Sequence, residues 1–207
     1  MRRLLSTTAL AVACLSLSSI ASASTIIDFE SPLAGLDVLT NQLSGLSFSN
    51  TSVLASGSIG GTLNEFEFPP RSGTNVVSDT GGSLTITFDS PLLTVGGYFT
   101  HLTGLTFQAF DLFNTSLGSV SSSFANNLLT SGDSGSSPNE FLQFTSALGI
   151  KSVTITGDPG GGSFTLDDLT LTDLPLQSTP IPEPSTIVLV LGGLAPLLRH
   201  YRARRSR

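Results

Sequence analysis

Hydrophobic and polar residues alternate with a period of two along most of the chain, which is the spacing of a β-strand with one buried face. In residues 83–89, Leu84, Ile86 and Phe88 fall on one face, and threonines lie between them. The same alternation predicts further strands at residues 25–30, 45–49, 62–68, 93–99, 105–111, 140–145, 150–156 and 164–171. Between residues 24 and 173 no stretch has the period of an amphipathic helix, so the pattern predicts an all-β domain.

Turn-forming residues separate these strands, notably Gly81-Gly82, Gly96-Gly97 and the segment 158–162. Nine or so short strands with such turns predict an antiparallel two-sheet sandwich of jelly-roll type. The polar segment 130–139 is predicted as a loop inside this domain, because strand alternation resumes directly after it. The domain therefore spans residues 24–173, and the proline-containing segment 174–180 is a linker.

The last predicted strand contains a break in register. Phe164 and Leu166 occupy even positions, whereas Leu169 and the next leucine occupy odd positions. One extra residue has to be absorbed at Asp167-Asp168, which predicts a β-bulge there. Because bulges change the direction of side chains, both carboxylates can turn toward one side.

Charge is distributed unevenly along the chain, whose formal net charge is −6. Most of the nine Lys and Arg residues lie at the two ends, so residues 24–180 contain fourteen carboxylates and only Arg71 and Lys151 as cations. Nucleic acid is excluded as a partner, since its binding requires many cationic side chains. Cations and neutral polymers remain as partners; alternatively, the charge serves only to keep an exported protein soluble.

The first 23 residues have the form of a secretory signal peptide. Arg2 and Arg3 precede an apolar stretch at residues 4–20, and Ala21-Ser22-Ala23 is a pattern that signal peptidase cuts after, leaving Ser24 first. Cys14 is the only cysteine, and a lipoprotein signal that acylates it is the alternative. If the segment is removed, the exported domain has neither disulfides nor thiol chemistry.

The C-terminal segment combines a short apolar run with a basic end. Residues 187–198 would span about 18 Å as a helix, which is short of the ~30 Å hydrocarbon core. The arginines that follow would stay on the cytoplasmic side. This arrangement predicts a short hydrophobic helix that holds the precursor at the inner membrane.

Pro182-Glu183-Pro184, followed by this run and the arginines, resembles the PEP-CTERM sorting signal of Gram-negative bacteria, here at residues 181–207. The resemblance implies recognition of Pro182, Glu183 and Pro184 by an exosortase, a membrane-embedded cysteine protease that removes the tail in organisms that make exopolysaccharide. It also implies release to the cell surface or the extracellular space. A plain C-terminal anchor is the alternative.

The body of the chain resembles ectodomains attached to this tail and, more loosely, the galactose-binding-like jelly rolls that serve as carbohydrate-binding modules. The likeness lies in IIDFES at 26–31, LTITFDSPLLTVGGYF at 84–99, SVTITGD at 152–158 and FTLDDLTL at 164–171. It implies that the first and last strands are neighbours, with a structural calcium held there by Asp28 or Glu30 and by Asp167 or Asp168. The alternative is that these carboxylates are solvated or bind turn amides.

The sequence contains no strong motif of catalytic residues. His101 is the only histidine in the domain and no Gly-x-Ser-x-Gly elbow is present, so neither a histidine zinc cluster nor a serine triad is predicted. Glu65 and Glu67 could form a carboxylate pair for glycoside hydrolysis, but the alternation predicts a solvated strand edge. The chain has no Trp, and only Tyr98 supplies a sugar-stacking ring, because most of the thirteen Phe residues are predicted in the core.

We therefore expect a non-enzymatic, secreted and exosortase-processed protein, with a structural or adhesive role in an exopolysaccharide matrix. A carbohydrate-binding module with defined sugar specificity is the alternative, and a hydrolase is the third possibility.

Overall fold

A computed structural model describes residues 23–33, 35, 38–57 and 61–175. Residues 1–22 of the predicted signal peptide, most of the linker and the sorting segment with Pro182, Glu183 and Pro184 lie outside the described residues. In the described part, no helix is long and apolar enough to cross a membrane. All the regular secondary structure there is β-strand, as predicted.

Nine strands form in these residues, and every pairing between them is antiparallel. Their bounds are β1 Ser24–Ile27, β2 Leu46–Ser49, β3 Thr51–Ala55, β4 Asn75–Asp79, β5 Leu84–His101, β6 Thr106–Phe110, β7 Ser116–Ser121, β8 Glu140–Thr156 and β9 Phe164–Asp173.

The strands form two layers because β5 and β8 are long and contribute to both. In the first layer, the start of β5 pairs with β2 and with the end of β8, which continues through β6 to β7. In the second layer, the end of β5 lies between the start of β8 and β9. The other edge of β9 pairs with β1 and β4, and β3 completes the layer beside β4. Strands that pass from one sheet to the other through a bend form the corners of a sandwich. The predicted antiparallel jelly-roll-like sandwich is confirmed.

The core lies between the two layers. Phe99 of β5 packs edge-on against Phe107 of β6, with 6.0 Å between ring centroids, and both are fully buried. Phe29 makes a similar contact with Phe48 of β2 at 6.4 Å. Burying aromatic rings in this way supplies much of the stabilisation of a small sandwich. Not every phenylalanine is inside, since three are exposed: Phe66, Phe113 and Phe141.

Two predicted breaks between strands and one predicted turn are absent from the structure. The strands predicted at 83–89 and 93–99 form the single strand β5, which begins at Leu84, and those at 140–145 and 150–156 form β8. Gly96-Gly97 lies inside β5 instead of in a turn. A Cβ atom on Gly97 would clash with Cδ1 of Leu166, so close packing between β5 and β9 explains this glycine.

The predicted strand at 62–68 is wrong. The Asn64 carbonyl accepts hydrogen bonds from the N–H groups of Glu67 and Phe68, at 3.1 and 2.9 Å, which closes a turn. The Glu67 carboxylate accepts hydrogen bonds from Thr130 and Ser131, and Glu65 accepts one from the backbone of the neighbouring loop. These two carboxylates therefore hold loops together and do not form a solvated strand edge.

The predicted bulge in β9 is confirmed. Gly96 pairs with Thr170 and Tyr98 pairs with Asp167, so Gly97 alone faces two residues of β9. One of them, Asp168, has a left-handed backbone with φ of 46°. β1 lies beside the end of β9, as the resemblance to galactose-binding-like domains implies.

Candidate functional site

The outer face of the second layer carries an aromatic pair, Tyr98 and Phe141. Phe99 points into the core, so its neighbour Tyr98 points outward. Tyr98 pairs with Phe141 of β8 on one side and with Asp167 of β9 on the other. The Tyr98 and Phe141 ring centroids are 4.9 Å apart, and 42% of the surface of Phe141 is exposed. Apolar ring area is therefore accessible at this position of the sheet.

Arg71 completes this surface, and we call Arg71, Tyr98 and Phe141 the aromatic platform. The guanidinium carbon of Arg71 lies 4.6 Å from the centroid of the Tyr98 ring, within the range of a cation–π contact. A Cβ atom on Gly96 would lie 3.0 Å from Cζ of Phe141. The absence of a side chain on Gly96 therefore gives the Phe141 ring room beside the sheet.

Polar side chains extend the platform along the same face. Gln143 and Thr145 follow Phe141 on β8, and Thr94 lies opposite Thr145 on β5, with their hydroxyl oxygens 3.0 Å apart. Thr170 of β9 pairs with Gly96. Hydroxyl and amide groups both donate and accept hydrogen bonds, so this face combines apolar rings with groups that match sugar hydroxyls.

The bulge in β9 holds Arg71 in place. The Oδ2 atom of Asp167 accepts hydrogen bonds from the backbone N–H groups of Arg71 at 2.7 Å and of Ser72 at 3.0 Å. Its Oδ1 atom accepts one from the N–H of Asp168, whose own carboxylate accepts one from the Ser72 hydroxyl at 2.7 Å. Burial raises the pKa of the Asp167 carboxyl from 3.8 to about 6, although its backbone hydrogen bonds act in the opposite direction.

The carboxylates predicted to hold calcium have backbone and hydroxyl partners. Glu30 accepts hydrogen bonds from the N–H groups of Thr74 and Asn75, each at 2.7 Å, while Asp28 accepts one from the N–H of Glu30. Asp167 and Asp168 accept hydrogen bonds from Arg71 and Ser72, which come shortly before Thr74 in the chain. Among the described residues, no group of three or more His, Cys, Asp or Glu side chains could hold a metal ion. A calcium site here stays a prediction.

His101 lies inside the sandwich. Its side chain is fully buried, and Nε2 lies 3.3 Å from the Glu140 carboxylate. Its backbone N–H donates to the side chain of Asn127 at 2.6 Å, and Asn127 donates to the carbonyl of Phe99. These contacts join the end of β5 to the loop before β8, and the buried ring is out of reach of a polymeric substrate.

A cleft of ≈ 260 Å³ lies at the edge between the layers, away from the platform. Leu46, Phe88 and Leu92 line it and also belong to the core. Its apolar part is therefore a gap at the margin of the core.

The sequence pattern did not predict the platform, since it left Tyr98 as the only ring for sugar stacking. One feature of the sequence does indicate a second outward-facing ring. Phe141 and Phe144 lie three positions apart in a predicted strand, so they point to opposite faces and one of them has to face outward.

No family model matches the chain, and no curated protein matches it. Among solved structures, it is similar to the K2 cleaved adhesin domain of Lys-gingipain from Porphyromonas gingivalis, with 14% identity over 72% of this chain and 99% of that one and a TM-score of 0.47. A mutant family 29 carbohydrate-binding module complexed with mannohexaose has 9% identity over 74% of this chain and 93% of that one, with a TM-score of 0.39.

A family 11 carbohydrate-binding module from Clostridium thermocellum, in complex with a mixed-linked tetrasaccharide, has 9% identity over 75% of this chain and 98% of that one, with a TM-score of 0.35. At TM-scores below 0.5, these likenesses say nothing of what this chain binds. Its ligand has to be argued from its own residues.

Proposed function

We propose that the chain is an exported, non-enzymatic surface or matrix protein that adheres to extracellular polysaccharide through the aromatic platform. The observation that carries this proposal is the contact of Tyr98 with both Phe141 and Arg71 on an open sheet face. The rings present apolar area, and the threonines and Gln143 next to them supply hydrogen-bonding groups.

This combination fits a sugar better than a purely apolar ligand. A pyranose ring has an apolar face that stacks on an aromatic ring, and its hydroxyls require donors and acceptors around that ring. An open sheet face also leaves both directions free for a polymer chain, whereas a closed pocket would select a chain end. The platform therefore favours binding along the length of a polysaccharide.

Export and processing are part of the same proposal. The Ala-Ser-Ala site before Ser24 and the Pro182-Glu183-Pro184 motif support cleavage by signal peptidase and by an exosortase. The precursor would be held at the inner membrane and the mature protein delivered to the cell surface or beyond. This location brings the platform into contact with exopolysaccharide.

The test is affinity electrophoresis or pull-down of the full-length chain with a panel of soluble and insoluble polysaccharides. Tyr98→Ala and Phe141→Ala should each weaken binding by about tenfold, because each removes stacking area. Phe113→Ala is the matched control. This ring is 85% exposed, but it lies on the turn after β6 and away from the platform.

Equal loss of binding in the Phe113 variant would contradict a role of the platform. Failure of the wild-type chain to bind any polysaccharide in the panel would overturn the proposed function.

A further inference from the structure

The platform contains one of the two cations of an otherwise acidic domain. Residues 24–180 have fourteen carboxylates but only Arg71 and Lys151 as Lys or Arg residues. Lys151 lies elsewhere, on the first-layer half of β8, where its ammonium donates to the carbonyl of Asp89 at 2.9 Å. Of these two cations, Arg71 is therefore the one placed beside the Tyr98 and Phe141 rings.

The Arg71 guanidinium has no carboxylate partner among the described residues, where the one such contact is the 3.3 Å approach of His101 Nε2 to Glu140. Asp167 is a neighbour of Arg71, yet it binds the backbone N–H and not the guanidinium. The side chain is exposed and its charged group lies over the Tyr98 ring. Its N–H donors are thus available to a ligand in a domain rich in carboxylates.

The position of this group is well defined. Asp167 fixes the backbone at Arg71 and Ser72, and the side chain of Asn139 donates to the carbonyl of Pro69 at 3.2 Å. The Tyr98 ring supports the guanidinium from below. A planar guanidinium held in this way binds a carboxylate through two parallel N–H bonds, with little loss of side-chain freedom.

We infer that the platform selects acidic polysaccharides, with Arg71 binding the carboxylate of a uronic acid unit while Phe141 and Tyr98 contact sugar rings. This inference rests on the proposed function, because it names the ligand class of the same site. The two carboxylates near Arg71, those of Asp167 and Asp168, accept hydrogen bonds from backbone N–H groups and from the Ser72 hydroxyl. Carboxylates farther away than about 8 Å are largely screened at physiological salt, whereas Arg71 acts in contact.

The experiment compares each polymer with its own neutral form. Binding of the full-length chain is measured to polygalacturonate, and to the exopolysaccharide of the organism that makes the protein, each in native and carboxyl-reduced form. The native acidic polymer should bind at least about tenfold more tightly than the reduced one, which corresponds to about 1.4 kcal/mol. Raising the salt concentration should reduce this preference but leave binding to the reduced polymer nearly unchanged.

Arg71→Gln should abolish the preference, so that the variant binds the acidic polymer no more tightly than the reduced polymer. Lys151→Gln removes the same charge from another part of the domain and should behave as wild type. Equal binding of both polymer forms by the wild-type chain, or retention of the preference in Arg71→Gln, would overturn the inference and leave the proposed function standing. The inference is also overturned, and the proposed function still stands, if the wild-type chain has no preference for the acidic form while Tyr98→Ala and Phe141→Ala lose binding to both forms.

Discussion

The carboxylate of Asp167 accepts a hydrogen bond from the backbone N–H of Arg71 at 2.7 Å, across 96 residues of sequence. This contact connects the β9 bulge to the loop that carries the cation of the platform. It also places a buried carboxylate where its charge is poorly solvated, which explains the raised pKa. The bulge therefore affects both the stability of the domain and the geometry of its exposed face.

Asp167→Asn should change the pH dependence of stability. The pKa of this carboxyl is ordinarily 3.8 and is about 6 in the fold, so the folded chain binds more protons than the unfolded chain between these values. The contribution of Asp167 is fully present below pH ~4 and is lost as the pH rises through about 6. The stability of Asp167→Asn relative to wild type should therefore improve from about pH 4 to about pH 7.

Urea denaturation of full-length wild type and Asp167→Asn at several pH values between about 4 and 7 measures the difference in their free energies of unfolding. The same stability difference at every pH would contradict the raised pKa.

Gly97→Ala should destabilise the domain by about 1–3 kcal/mol, as expected for overpacking in a well-packed core. The added methyl group would clash with Cδ1 of Leu166 where β5 faces the bulge. Gly104→Ala is the matched control, because its Cβ would lie 3.8 Å from the nearest atom, the Ser122 hydroxyl. Denaturant midpoints of both variants provide the measurement, and similar losses in the two would show that contact with Leu166 is not the cause.

Sequence alternation predicted β1, β2, β5, β6, β8 and β9, and it also located the bulge. Phe164 and Leu166 are buried at even positions and Leu169 at an odd one, so their spacing recorded the extra residue. Alternation missed β3, β4 and β7. In β4, Asn75–Asp79, all five residues are buried, so the two faces do not differ. Alternation also failed at 62–68, where the carboxylates of Glu65 and Glu67 accept hydrogen bonds from other loops and stabilise a turn.

The platform could not be assembled from alternation alone. Its three residues come from a loop and from two strands whose register is set by a bend and a bulge. A change of register by one residue would turn Phe141 into the core and remove it from Tyr98. The alternation of hydrophobic and polar residues predicts which face of a strand each side chain occupies. Which residues become neighbours on adjacent strands depends on the tertiary fold.

The calcium prediction has a test of its own. An ion that binds only the folded state raises the free energy of unfolding by about 2.7 kcal/mol at a hundredfold excess over Kd. The full-length chain should melt at a higher temperature in excess calcium than in excess chelator, and Asp168→Ala should abolish this rise. Equal melting temperatures would leave Asp167 and Asp168 with the role that the structure gives them, which is to bind the loop at Arg71 and Ser72.

Removal of both ends from the mature protein is the final prediction. Mass spectrometry of the released native protein should find Ser24 as the first residue and no peptide from residue 187 onward, because signal peptidase and exosortase act at the two ends. Glu183→Ala should leave export intact but block tail removal, so the precursor accumulates at the inner membrane. Glu65→Ala is the control, since it removes a carboxylate from a loop of the domain and not from the motif. An intact Arg207 tail on released protein would contradict processing, and normal release of Glu183→Ala would show that the motif is not recognised.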